Sequence, residues 1–166
     1  QYYGEAEIDW TTPSNFVYGS MGGCLTVGEM EAQLDLMKTL YPTLITTKKS
    51  ASPDSIVEDI DGVLPDHAKT TYGFAGSGGW SGQTIYFVKI SDGIAANDNI
   101  SGDVDQADEP DILYTSMIHS RELSSLMGNI YFMWYLWENY ATDPAIKSLV
   151  DNNELFFVPV VNPDGL

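Results

Sequence analysis

The sequence is poor in positive charge and in the residues that ordinarily build compact metal modules. Its 166 residues carry seven Lys and Arg against 24 Asp and Glu, a formal charge of −17 at neutral pH. Nucleic-acid binding replaces phosphate counterions with a cationic stripe, which seven dispersed cations cannot supply. The same scarcity excludes attraction to an anionic membrane surface. A single cysteine, Cys24, leaves no internal disulfide and no Cys-rich zinc module, so a metal here would be held by His and carboxylates. Only two histidines, His67 and His119, and one arginine, Arg121, are present. The longest apolar run, Ile130 to Trp137, falls far short of the roughly 20 residues that a membrane span needs. The opening Gln1-Tyr2-Tyr3-Gly4-Glu5 lacks the basic and apolar regions of a cleavable signal. A start at Gln fits a processed terminus, and the acidic, Lys-poor composition fits a secreted or extracellular protein.

What is present suffices for a folded core. Hydrophobic residues make up 43% and aromatics 12%, and a chain of this size would bury roughly 70% of its unfolded surface. Residues 1–23 are polar, aromatic and Gly-rich, and read as an extended arm ending in the turn Gly19-Ser20-Met21-Gly22-Gly23. Thr26 and Glu29 form a capping-box pair ahead of Val27, Met30, Leu34 and Met37, predicting a helix that Tyr41-Pro42 stops. Leu44 to Lys48 is a short strand candidate. Ser50 to Gly82 reads as loop, with one helical turn near Ser55 to Ile60. Thr84 to Ile90 is β-branched and aromatic and predicts a strand. Ser91 to Asp111 holds seven acidic residues and no Lys or Arg, the composition of a solvated loop.

Ile112 to Ile118 is nearly continuous in apolar residues, the pattern of a strand covered on both faces. A helix is expected from about Glu122 to Tyr140, burying Leu126, Ile130, Met133, Trp134 and Trp137, and Pro144 opens a shorter one through Val150. Leu155 to Val161 is again a buried strand. Strand, helix and strand in this order imply parallel pairing, and ligands of such sheets gather at the carboxyl ends of the strands. Two polar clusters fall there: His119-Ser120-Arg121-Glu122 and Asn162-Pro163-Asp164-Gly165. His and Glu three apart at a strand-to-helix handover can aim an imidazole nitrogen and a carboxylate oxygen at one ion about 2 Å from each. The alternative is a surface pair. Arg121 offers a fork of donors to a ligand carbonyl or carboxylate, or a salt bridge to a neighbouring acid.

Several ordered motifs together resemble the zinc metallocarboxypeptidases related to pancreatic carboxypeptidase A, in their bacterial form. They are Ile112-Leu113-Tyr114-Thr115, His119-Ser120-Arg121-Glu122, Tyr131-Phe132-Met133-Trp134-Tyr135-Leu136, Glu138-Asn139-Tyr140 and Pro159-Val160-Val161-Asn162-Pro163-Asp164-Gly165. Gly19-Ser20-Met21-Gly22-Gly23, Tyr41-Pro42-Thr43-Leu44-Ile45-Thr46 and Val88-Lys89-Ile90-Ser91-Asp92 extend the likeness upstream. The resemblance implies an α/β fold with a mixed, partly parallel sheet flanked by helices. It implies Zn2+ held by two His and one Glu, and removal of the C-terminal residue of peptides or proteins. His119 and Glu122 match two of the metal ligands, and Arg121 matches an arginine that binds substrate. The family's third ligand, its grip on the terminal carboxylate and its general base lie beyond the Asn-Pro-Asp-Gly motif. The expectation is therefore that residues 24–166 are the amino-terminal part of the catalytic domain, with no catalytic base and no activity alone, and that the rest is a second chain or a continuation. Leu155 to Val161 would then be an open edge. His67, in Pro65-Asp66-His67, is a poor substitute ligand. The rival reading is a truncated, non-catalytic relative that acts in structure or self-assembly.

Asn97, Asn99, Ser101, Gly102, Asp103, Asp105 and Asp108 occupy positions 1, 3, 5, 6, 7, 9 and 12 of an EF-hand-like Ca2+ loop, with Val104 at the apolar position. Position 1 is Asn and no helices flank the loop, so a plain acidic loop is the preferred reading. Asn99-Ile100-Ser101 is also a glycosylation sequon. Cys24 has no basic neighbour to activate it. Gly76-Ser77-Gly78-Gly79 lacks the Lys of a phosphate loop. A Tb3+ luminescence titration decides the calcium question: the acidic-loop reading expects no saturable site.

Overall fold

The computed structural model describes residues 11–51, 84–94 and 109–163. The helical turn expected near Ser55 to Ile60, His67, the Gly76 to Gly79 run and the calcium window with its sequon lie outside these residues.

The first helix, α1 (Val27–Leu40), starts where the capping box places it. The Thr26 hydroxyl accepts from Glu29 N–H at 3.2 Å, and the Glu29 carboxylate accepts from Thr26 N–H at 2.8 Å. Each side chain thereby satisfies an amide that the helix leaves open. Met30, Leu34 and Met37 form its buried stripe. At the other end Lys38 Nζ donates to Pro42 O and Ile45 O, both at 2.9 Å, placing a cation where the helix carbonyls point.

The expected strand at Leu44 to Lys48 is displaced. Ile45 makes one isolated bridge to Ile90, and regular pairing appears only in the two-residue β1 (Lys49–Ser50). Thr46 explains the gap. Its hydroxyl accepts Lys89 N–H at 3.0 Å, so a side chain takes a donor that a backbone ladder would use.

Three further strands, β2 (Tyr86–Ile90), β3 (Asp111–Thr115) and β4 (Glu154–Val158), complete a sheet of order β1-β2-β4-β3. β2 runs antiparallel to β4, with Val88 opposite Phe157 and Ile90 opposite Leu155. β3 runs parallel to β4, with Ile112 opposite Leu155 and Tyr114 opposite Phe157. The sheet is thus mixed, and the parallel crossover through α2 (Leu123–Asn139) and α3 (Pro144–Asp151) follows the sequence pattern.

Two expectations about this sheet need correction. Among the described residues β4 is an interior strand and β3 is the edge, the reverse of an open edge at Leu155 to Val161. Nor is β3 covered on both faces. Its residues alternate, leaving Leu113 65% exposed while Ile112 and Tyr114 face the core. An apolar run cannot report how many faces are covered when its outward positions are themselves apolar.

One face of the sheet packs on the helices. Val88, Ile90, Leu155 and Phe157 join Leu126, Ile130, Met133 and Trp134 of α2 and Met30, Leu34 and Met37 of α1 in one buried cluster. Tyr114 stacks on Phe157, with ring centres 4.6 Å apart. Lys89 points to the opposite face yet is fully buried, its Nζ 3.1 Å from Glu154 Oε1. Residues 11–16 lie against α2: Ser14 Oγ and Asn15 N donate to Glu138 Oε1, Tyr131 Oη donates to Thr11 O, and Phe16 packs edge-on against Tyr131.

The two long helices are tied by one buried polar contact, Trp134 Nε1 donating to Gln33 Oε1 at 2.9 Å. Replacing Gln33 by Leu keeps the volume and strands the indole N–H, which should cost about 1–3 kcal/mol in urea unfolding. The double variant with Trp134→Phe should lose less than the sum of the two single losses, because the stranded donor is gone while the cavity left by the indole still costs stability.

Candidate metal centre

β3 ends at Thr115, and the chain must turn before α2 begins at Leu123. Ser116 prolongs the pairing, its N–H donating to Val158 O and its carbonyl accepting from Val161 N–H. Met117 then adopts φ 55°, a left-handed conformation uncommon for a non-glycine residue, with its side chain fully buried. Its carbonyl accepts from Asn162 N–H at 3.0 Å, and Asn162 Nδ2 donates to Ile118 O at 3.4 Å. The segments after β3 and after β4 are therefore bonded to each other. Asn162 and His119, which belong to separate sequence clusters, sit on one end of the sheet; Asp164 to Leu166 lie outside the described residues.

His119 and Glu122 face each other across this turn. His119 Nδ1 lies 2.9 Å from Glu122 Oε1, and His119 N–H reaches Glu122 Oε2 at 3.4 Å. Both side chains are open to solvent, His119 by 78% and Glu122 by 51%. The imidazole hydrogen bond holds the Glu122 carboxyl below the ordinary glutamate range; the little desolvation present opposes this, and the His119 backbone N–H adds to the lowering. Glu122 occupies the N-cap position of α2 without a side-chain capping bond, so its carboxylate remains available at the positive end of the helix. Arg121, between them in sequence, is exposed.

The donor set fits zinc as a partial site. Two donors on one tetrahedral ion, each about 2.0–2.2 Å from it, lie roughly 3.4 Å apart. The observed contact thus needs to open by only about half an ångström. Both groups are accessible, one is a carboxylate favoured in its charged form, and either imidazole nitrogen can ligate. Among the described residues no group of three His, Cys, Asp or Glu is positioned to hold a metal ion.

Residues 75–166, more than half of the chain, match the zinc carboxypeptidase family. The chain belongs to that family. A zinc carboxypeptidase of Saccharothrix mutabilis subsp. capreolus is 29% identical over 110 residues, covering 66% of this chain and 23% of that protein. Carboxypeptidase A1 of Sus scrofa is 28% identical over 112 residues, 68% of this chain and 24% of the relative. Metallocarboxypeptidase A of Trichophyton tonsurans reaches 39% over 57 residues, 34% of this chain and 14% of the relative. The chain thus spans about a quarter or less of the length of these relatives. The fold agrees with the crystal structure of thrombin activatable fibrinolysis inhibitor, with a TM-score of 0.58 and 17% identity over 86% of this chain and 26% of that one.

Sequence reasoning placed His119, Arg121 and Glu122 at the carboxyl end of a strand but missed the side chains that shape their turn. Ser125 Oγ accepts Met117 N–H at 3.1 Å and donates to Glu122 O at 2.6 Å. Ser116 Oγ accepts from Asn129 Nδ2 at 2.8 Å and donates to Pro159 O. The available signal was a polar residue on the helix stripe at Asn129, one turn beyond Ser125, where an apolar residue would be the default.

The pairing of His119 with Glu122 has a measurable signature. Because the Glu122 value lies below its unfolded one, the contact contributes at neutral pH and is lost as pH falls through the folded-state midpoint. Carboxyl NMR titration should find Glu122 below the ordinary glutamate range, and His119→Ala should return it toward that range.

Proposed function

We propose that the intact protein carrying this chain is a zinc-dependent carboxypeptidase hydrolysing the C-terminal peptide bond of peptides or proteins. His119 and Glu122 are two of its zinc ligands, and Arg121 binds substrate. The observation that carries this reading is the direct apposition of an accessible imidazole nitrogen and an ionised carboxylate at the carboxyl end of β3, in a chain of the zinc carboxypeptidase family.

The chemistry that a bound Zn2+ supplies is acidification of a water and polarisation of a carbonyl. The residues of this chain bind and orient. His119 contributes an imidazole nitrogen and Glu122 a carboxylate oxygen. Arg121 offers a planar set of donors to a substrate carbonyl or carboxylate. It is the one arginine in a chain of charge −17. The third protein ligand and the general base come from residues outside this chain, in the same polypeptide or in a second one. On this reading residues 24–166 are the amino-terminal part of the catalytic domain, residues 1–23 are an arm, and the protein acts outside the cell.

Metal analysis with an intact mass tests the proposal. The enzyme reading expects close to one zinc per molecule and a mass well above 18.3 kDa, with His119→Ala and Glu122→Gln each reducing zinc to background and abolishing C-terminal hydrolysis. A metal-free protein of this chain's mass would instead support a non-catalytic relative.

A further inference from the structure

Ser125 is not a metal-ligand type, yet its hydroxyl joins both ends of the turn that carries His119 and Glu122. The Oγ proton goes to Glu122 O at 2.6 Å, and the same oxygen accepts Met117 N–H at 3.1 Å. One hydroxyl has one proton to give and lone pairs to receive, so the two contacts are compatible and simultaneous. Between them lie Ile118, His119, Ser120 and Arg121.

The Met117 end of the turn needs such a fastening. A left-handed backbone at a residue with a side chain persists only where its surroundings over-determine it. Met117 is held in three ways: its side chain is buried, its carbonyl accepts from Asn162 N–H, and its N–H donates to Ser125. The Glu122 end has the helix to hold it, with Ser125 N–H on the same carbonyl at 2.9 Å. Removing the hydroxyl therefore releases mainly the Met117 end. His119 follows two residues later, while Glu122 stays on α2.

We infer that Ser125 is a positioning residue for zinc, setting the distance between the His119 and Glu122 donors through the Met117 turn. The inference rests on the reading of those two residues as zinc ligands. A side chain that only caps the helix would alter stability without altering the spacing of the donors. Supporting groups of this kind ordinarily change metal affinity by about 10- to 100-fold when lost.

The test uses the intact protein, stripped of metal and titrated with Zn2+ against a competing chelator, alongside thermal melting and amide exchange at Met117. Ser125→Ala should weaken zinc by about 10- to 100-fold and speed exchange at Met117 N–H, and Ser125→Thr, which keeps the hydroxyl, should restore both. Should the Ala variant not fold, Ser125→Cys replaces it, with a thiol that hydrogen-bonds weakly and the same expected losses. Zinc affinity equal to wild type in a folded Ala or Cys variant overturns the positioning role. His119→Ala separates the two levels. If it abolishes binding while S125A leaves it intact, only the role of Ser125 fails; if it binds as wild type, the ligand assignment fails and the inference with it.

Discussion

The parallel pairing of β3 with β4 is the constraint on which the rest of the structure depends. It aligns five residue pairs from Asp111 with Glu154 to Thr115 with Val158, so both strands deliver their carboxyl ends to one place. Only this arrangement lets Asn162, leaving β4, bond to Met117 and Ile118, leaving β3. An antiparallel pairing would put these segments at opposite ends of the sheet. Parallel neighbours require a long crossover, and the 17-residue α2 with the 8-residue α3 supplies it. The same helix that closes the topology also starts at the metal-ligand candidate Glu122.

Packing makes this pairing unique in register. Ile112 and Tyr114 of β3 and Leu155 and Phe157 of β4 all face the helices. A slip by one residue would turn Phe157 outward and bring Phe156 into the space that α2 fills. The apolar character of Phe156 makes that slip chemically less costly than a polar residue would. Lys89 and Glu154 work against it, because both face the other side and their ion pair is largely buried. Moving either into the apolar cluster would bury an unpaired charge.

Order at the candidate metal centre comes from polar contacts and from the buried Met117 side chain, not from burial of His119 and Glu122 themselves. His119 and Glu122 are exposed, but the turn beneath them is anchored by Ser116, Ser125, Asn129 and Asn162, each bonded to backbone or to another of the set. An accessible imidazole and carboxylate on a hydrogen-bonded turn are what the proposed metal site requires. Arg121 lies exposed between them in sequence, the one arginine in a chain of formal charge −17.

The sequence by itself determined the three described helices, their buried stripes, the parallel crossover and the place of His119, Arg121 and Glu122 between a strand and a helix, because these depend on short-range periodicity, capping and ordered motifs. Capping at Thr26 and Glu29 involves neighbours three residues apart, and the stripe of α2 repeats every turn. Tertiary structure decided which strand is the edge among the described residues, where β1 pairs and how the turn carrying His119 is held. Phe156 and Leu113 are apolar on the outward face, so their pattern could not reveal the face they occupy. The Thr46 hydroxyl meets Lys89 only after 43 positions of chain are folded back. Ser116 meets Pro159 across the same separation. Contacts between residues so far apart leave no local period, and the left-handed turn at Met117, bonded to Asn162 and Ser125, likewise becomes visible only in three dimensions.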